Sequence, residues 1–226
     1  MSSNFGSVRH SKRLAVLILI MGAGMVACGQ GGESGEEKRF VGASEVCDGI
    51  FSGALAKKVE FVTGDVLFTG TGTKGRKLEK VVEELKMSYA SGREWGTGAN
   101  LCEMKGKGGG VSNRAVIGFH MYAEQDLENP RKSVSAESYT MGKRSEAGKF
   151  GALVYLECVS PQLKGSDATP LRIYGNFTRG KSDVPDARAA RDASLEILHA
   201  GALAVVKELG CENSAGLPES ASVTLK

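Results

Sequence analysis

The chain is poor in the residues from which catalytic and metal sites are built. Three histidines occur among 226 residues, and only His120 and His199 lie beyond the N-terminal segment discussed below. No cysteines stand in C-x-x-C or at ligand spacing from a histidine, which sets aside zinc and dithiol redox chemistry. No G-x-S-x-G occurs, so the nucleophile elbow of an esterase is missing. Adjacent carboxylates such as Glu36-Glu37 and Glu83-Glu84 read as solvated charge. A membrane-spanning run is lacking too. The apolar stretch at 14–27 is 14 residues long, short of the roughly 20 that a transmembrane helix needs.

An excess of one charge is the last absence. The chain carries 29 Lys+Arg against 26 Asp+Glu. The surplus is Arg9, Lys12 and Arg13, all ahead of the apolar stretch. Without residues 1–27 the balance is 26 against 26. A neutral chain has no electrostatic footprint for nucleic acid, and no nucleic-acid partner is expected.

What is present at the N-terminus is an ordered set of signals. A basic n-region precedes an apolar segment, and small residues close it, as in a secretory signal peptide. The end of that segment, Val26-Ala27-Cys28, resembles the lipobox of bacterial lipoproteins, with Met25 where Leu is usual. The resemblance implies a diacylglyceryl group on the Cys28 thiol and cleavage just before it. The membrane is then the partner, reached through a lipid at Cys28 (a palmitate-type modification), and the chain is lipid-anchored on the extracytoplasmic face of the cell membrane. A plain secretory signal or an uncleaved anchor is the alternative. Residues 29–39, GQGGESGEEKR, have a composition that cannot pack and are expected to be a flexible tether. The expected organisation is a signal peptide at 1–27, a tether at 28–42 and one extracytoplasmic domain at 43–226.

Four cysteines remain: Cys47, Cys102, Cys158 and Cys211. An even number in an exported chain reads as two disulfides. Three pairings are possible; the favoured one is Cys47–Cys102 with Cys158–Cys211, each closing a loop of about 54 residues and contributing up to about 4 kcal/mol.

Periodicity supplies the elements. Phe51, Leu55, Val59 and Val62 recur at helical spacing, with Asp48 expected as the cap and Gly64 as the stop. Leu78, Val81, Val82, Leu85 and Tyr89 form the stripe of a second helix at 77–91. The period then falls to two. Residues 114–124 alternate, residues 137–159 read as a hairpin turning near 143–148, and residues 170–177 alternate again. A long helix at about 186–209 is expected to start from Ser182 or Asp183, with Pro185 in its first turn and Gly210 as the stop. The tail is a short edge strand or loose. The order predicts an α+β domain: an antiparallel sheet of about four to five strands with helices on one face. Phe68-Thr69 lies 34 residues before Cys102, and Phe177-Thr178 lies 34 before Cys211; too few other positions match to establish a duplication.

The segments VAC (26–28), the Gly/Glu tether, CDGIFSGALAKKVEFVTG (47–64) and KELGCENSAGLP (207–218) together resemble small envelope lipoproteins of high-GC Gram-positive bacteria. That resemblance implies a secreted α+β domain and brings no catalytic residues with it.

Two candidates for chemistry are left. Gly70, Gly72 and Gly75 spell G-x-G-x-x-G, but only three apolar residues precede them and no acidic residue ends a following strand, so the dinucleotide fingerprint is incomplete. Arg76-Lys77 stands where a Walker A motif needs Lys-Ser/Thr. No cofactor and no metal are expected. The second candidate is a sheet face. With Ile117, Phe119, Met121, Val154, Leu156, Ile173 and Phe177 toward the helices, the other face displays His120, Tyr122, Tyr155, Glu157, Arg172, Tyr174 and Asn176. Three tyrosines, a histidine and an opposed charge pair fit a binding surface for an envelope protein or small-molecule ligand. The competing reading is an ordinary solvated face with cross-strand pairs. The function expected is a non-enzymatic binding or interaction module. The alternative, an extracytoplasmic hydrolase, would require a deep pocket with converging titratable groups, and no catalytic residues can be assembled for it.

Overall fold

The computed structural model describes residues 40–69, 77–108, 113–128, 136–180, 184–221 and 224–226. Strand β1 (Phe40–Gly42) opens the described chain, and helix α1 (Ala54–Thr63) follows a 3-10 turn at Val46–Gly49. Gly64 stops α1 in the left-handed region, at φ 72°, with its N–H on the Glu60 carbonyl at 2.9 Å. The start of this helix differs from expectation. Asp48 sits in the 3-10 turn at φ 58°, and Gly53 takes the N-cap position instead. The disulfide at neighbouring Cys47 is the physical reason, since it holds the turn against the sheet before the helix can begin.

Strand β2 (Leu67–Thr69) pairs antiparallel with β1. Helix α2 (Lys77–Ala90) winds the Leu78–Tyr89 stripe, burying Val81, Val82 and Leu85. The strands β3 (Ala99–Lys105) and β4 (Arg114–Met121) come next, followed by the short helix α3 (Glu124–Glu128). Then come β5 (Glu137–Tyr139), β6 (Arg144–Gly148), β7 (Gly151–Cys158), β8 (Leu171–Arg179) and helix α4 (Arg188–Glu208). The architecture is α+β. Strands β3 to β8 form one antiparallel sheet of six strands in the order β3-β4-β8-β7-β6-β5.

The 137–159 segment is a three-stranded meander and not the single hairpin expected. Most of 143–148 is strand β6, and the tight turn is Lys149–Phe150, between paired Gly148 and Gly151. Gly151 explains the choice. Its φ is +142°, and a Cβ there would lie 1.9 Å from the Phe177 carbonyl oxygen, so only glycine lets β7 begin against β8. Helix α4 begins at Arg188, while Ser182 and Asp183 fall outside the described residues. Gly210 follows α4 at φ 66°. The tail does add an edge contact: Thr140 N–H donates to the Thr224 carbonyl and Lys226 N–H to that of Ser138.

Helices α2 and α4 pack on one face of the sheet, and α1 packs against α4. Ile117, Phe119, Met121, Val154, Leu156, Ile173 and Phe177 all point into that layer and are buried. Each such side chain contributes about 1.5–3 kcal/mol of burial, so this face is the core. Cys47–Cys102, with Cα atoms 5.3 Å apart, ties the first turn to β3; Cys158–Cys211, at 5.1 Å, ties the end of β7 to the residue beyond α4. His199 is buried on α4, its Nε2–H on the Pro218 carbonyl at 2.8 Å.

Candidate functional site

Because strand side chains alternate, one buried face dictates the other. With Phe119 and Ile173 inward, His120 and Tyr174 point outward, and the register sets His120 beside Tyr174, and Tyr174 beside Tyr155. The rings meet in series. His120 and Tyr174 are 4.6 Å apart between centroids, Tyr174 and Tyr155 5.0 Å, and Tyr155 and Tyr122 4.9 Å at an interplanar angle of 89°. These separations are those of favourable tilted and edge-on aromatic pairs. All seven face residues expected from alternation therefore lie on the side of the sheet opposite α2 and α4.

Their exposure is not uniform. His120, Tyr174, Asn176, Arg172 and Glu157 are half-buried, while Tyr155 is buried and Tyr122 is only 2% exposed. Tyr122 lies just past the end of β4, where the chain turns into α3 and stays close to β8: Tyr122 N–H donates to the Arg172 carbonyl at 3.4 Å. The Tyr122 hydroxyl has no hydrogen-bond partner among the described residues. Burial, then the Glu157 carboxylate, pushes this phenol well above its ordinary pKa. Burial lowers the pKa of His120, partly opposed by the Asp126 carboxylate.

The opposed charge pair is wired differently from the sequence expectation. Glu157 and Arg172 are cross-strand neighbours, yet each takes another partner. Lys143 Nζ lies 2.6 Å from Glu157, and Arg172 Nη2 lies 2.8 Å from Glu124 on α3. The loop leading into β3 closes one rim. A Cβ on Gly98 would lie 2.5 Å from that of His120, so this segment lies directly against β4; Trp95, three residues earlier, is 61% exposed.

Toward the β6–β7 turn the face dips into a shallow hollow of about 220 Å³, lined by Glu146, Phe150, Leu153, Tyr174 and Asn176 among others. Glu146 is buried and held by Arg144, whose Nε donates to it at 2.8 Å. Gly118 shapes the neighbouring surface: a Cβ there would sit 3.2 Å from the Asn100 amide oxygen and 3.3 Å from that of Asn176. Two amide side chains thus converge over one glycine. Leu153 and Glu146 were not singled out by the sequence reading, although Leu153 lies on the same alternation as Tyr155. Trp95 and Phe150 carry no periodic signal, because they stand in a loop and a turn.

No group of three His, Cys, Asp or Glu side chains capable of holding a metal occurs among the described residues, and no helix there is long and apolar enough to cross a membrane. Gly70, Gly72, Gly75 and Cys28 lie outside the described residues. No protein-family model, curated protein or solved structure matches the chain.

Proposed function

We propose that the chain is a lipoprotein, anchored through Cys28 on the extracytoplasmic face of the cell membrane. Its sheet face opposite α2 and α4 binds a second envelope component. One observation carries this reading: His120, Tyr174, Tyr155 and Tyr122 form an unbroken series of rings on that face, edged by Arg172 and Asn176. Aromatic and arginine side chains supply large contact area at small conformational cost, which is why they anchor interfaces. The two disulfides support an oxidising compartment. The hollow is shallow, and its one carboxylate is already held by Arg144, so its shape favours contact over bond cleavage.

Two experiments test the proposal. A photo-crosslinking side chain at Tyr174 in intact envelopes is expected to yield a discrete adduct, and one at exposed Glu83 on α2 is not. No adduct at 174, or the same adducts from both positions, refutes the binding face. For the anchor, Cys28→Ala is expected to abolish metabolic palmitate labelling and move the chain out of the membrane fraction. Label retained on the variant, or missing from the natural chain, refutes lipidation.

A further inference from the structure

The register aligns one end of the six-stranded sheet. Lys105 lies opposite Arg114, Ala115 opposite Arg179, Thr178 opposite Gly151, and Gly148 opposite Gly151. Helix α1 finishes at this same end. The Arg179 guanidinium donates to the Val62 and Lys149 carbonyls, and Asp65 accepts from Gly108 N–H and the Asn113 amide at 3.1 and 2.8 Å. The β1–β2 pair is here too, since Lys107 N–H donates to the Leu67 carbonyl at 2.8 Å.

Four of the six large exposed apolar side chains of the described residues gather at this end: Phe61, Val66, Leu67 and Phe150, with Val66 63% and Phe150 61% exposed. Two lysines stand over aromatic rings beside them, Lys107 over Phe40 at 5.1 Å and Lys149 over Phe150 at 5.5 Å. Neither has a carboxylate within ion-pair distance among the described residues. The nearby carboxylates are already engaged: Asp65 as above, Glu103 by Lys105 and Arg114, and Asp186 by Arg191. Exposed aromatic and aliphatic side chains rimmed by lysines that make no direct ion pair among the described residues match a bilayer interface, where the rings enter the headgroup boundary and the ammonium groups meet lipid phosphates.

The covalent chain supplies the second argument. Phe40 lies twelve residues after Cys28, and no conformation of that length spans more than about 43 Å. Phe40 and its partner Thr69 belong to this same end of the domain.

We infer that this end of the sheet is a membrane-docking surface, seating Phe61, Val66, Leu67 and Phe150 in the interface of an anionic bilayer. The inference rests on the Cys28 anchor and goes beyond it by assigning the domain an orientation. The seven residues of β3 separate this end from Ala99 and nearby Trp95 by roughly 20 Å, so His120, Tyr122 and Trp95 stand away from the lipid. The half-buried rings of the series, His120 and Tyr174, are then left open to a partner.

The sole tryptophan, Trp95, gives the test an internal reporter. The full lipidated chain is reconstituted into vesicles of phosphatidylethanolamine and phosphatidylglycerol with brominated acyl chains. In a Trp95→Phe background, Val66→Trp and Phe150→Trp are expected to show severalfold stronger quenching than Trp95 does in the natural chain. Both positions are solvent-exposed, so neither change disturbs the core, and intact disulfides on a non-reducing gel verify the fold. A chain that floats with the vesicles but shows equal quenching at 66, 150 and 95 overturns the docking surface and leaves the anchor standing. A chain that does not float with the vesicles overturns the anchor and the docking surface together.

Discussion

Two buried tyrosines make opposite predictions. Tyr122 has a hydroxyl without a hydrogen-bond partner among the described residues. Tyr139, also buried, donates its O–H to Asp192 at 2.9 Å, with a Glu137 oxygen 3.2 Å away. An unsatisfied buried polar group costs about 1–3 kcal/mol, while a hydrogen bond to a charged group contributes about 1.5–3 kcal/mol. Tyr122→Phe keeps the ring and its edge contact with Tyr155 and removes only the orphaned oxygen. It is expected to stabilise the domain by about 1–2 kcal/mol, a rise of roughly 2–8 °C in Tm for a domain of this size. Tyr139→Phe strips the hydrogen bond from Asp192, which among the described residues keeps Arg188, 3.6 Å away, and is expected to cost about 1–2 kcal/mol.

Urea unfolding followed by Trp95 emission and by circular dichroism, with the disulfides intact, measures both. Alkaline pH adds a second readout. Burial raises the Tyr122 pKa above its ordinary value, near 10 for an exposed phenol. The unfolded chain therefore loses this proton first, and stability contributed by the protonated phenol declines as pH climbs beyond about 10. Tyr122→Phe is expected to flatten that decline. Equal destabilisation by the two substitutions would refute the reasoning, because it would mean that the Tyr122 hydroxyl is satisfied in the folded protein.

Three further outcomes are expected. Replacing Cys158 and Cys211 together by serine lowers stability by about 2–4 kcal/mol, the usual range for a loop-closing disulfide; unchanged urea midpoints under reducing and oxidising conditions would contradict it. Gly151→Ala destabilises by more than about 3 kcal/mol, beyond the usual cost of a point substitution, because a Cβ at φ +142° would meet the Phe177 carbonyl at 1.9 Å; an unaltered melting curve would overturn the hairpin register. Because burial depresses the His120 pKa, the unfolded chain takes up this proton first as pH falls below about 6.5, and stability declines there. His120→Gln flattens that acid limb, and an unchanged slope in pH-dependent unfolding would exclude His120 as its source.

Much of the architecture was legible because it is local. The Leu78–Tyr89 stripe has a period of 3.6 and became α2; Ile117, Phe119 and Met121 have a period of two and became the inner face of β4. Gly64 and Gly210 could be recognised as helix stops because a left-handed residue there needs no distant partner. The same alternation separates core from outer face, so it places His120, Tyr155, Arg172, Tyr174 and Asn176 on one surface. The wrong start of α1 and the misplaced turn share one cause. Next to Asp48 the Cys47 disulfide to β3 overrides capping chemistry; at 137–159 the close approach of Gly151 to the β8 backbone places one of the meander's two turns at 149–150.

The residues alone thus determined the apolar stripes of the main helices, the strand faces, the α+β class and an even number of cysteines, since none of these needs a distant partner. Tertiary structure decided the insertion of β8 between β4 and β7, the partners of Glu157 and Arg172, the burial of Tyr122, and the gathering of Phe61, Val66, Leu67 and Phe150 at one end. These join residues far apart in the chain, and a linear pattern carries no term for the distance between them. Only the folded register brings such side chains to one edge or onto one face.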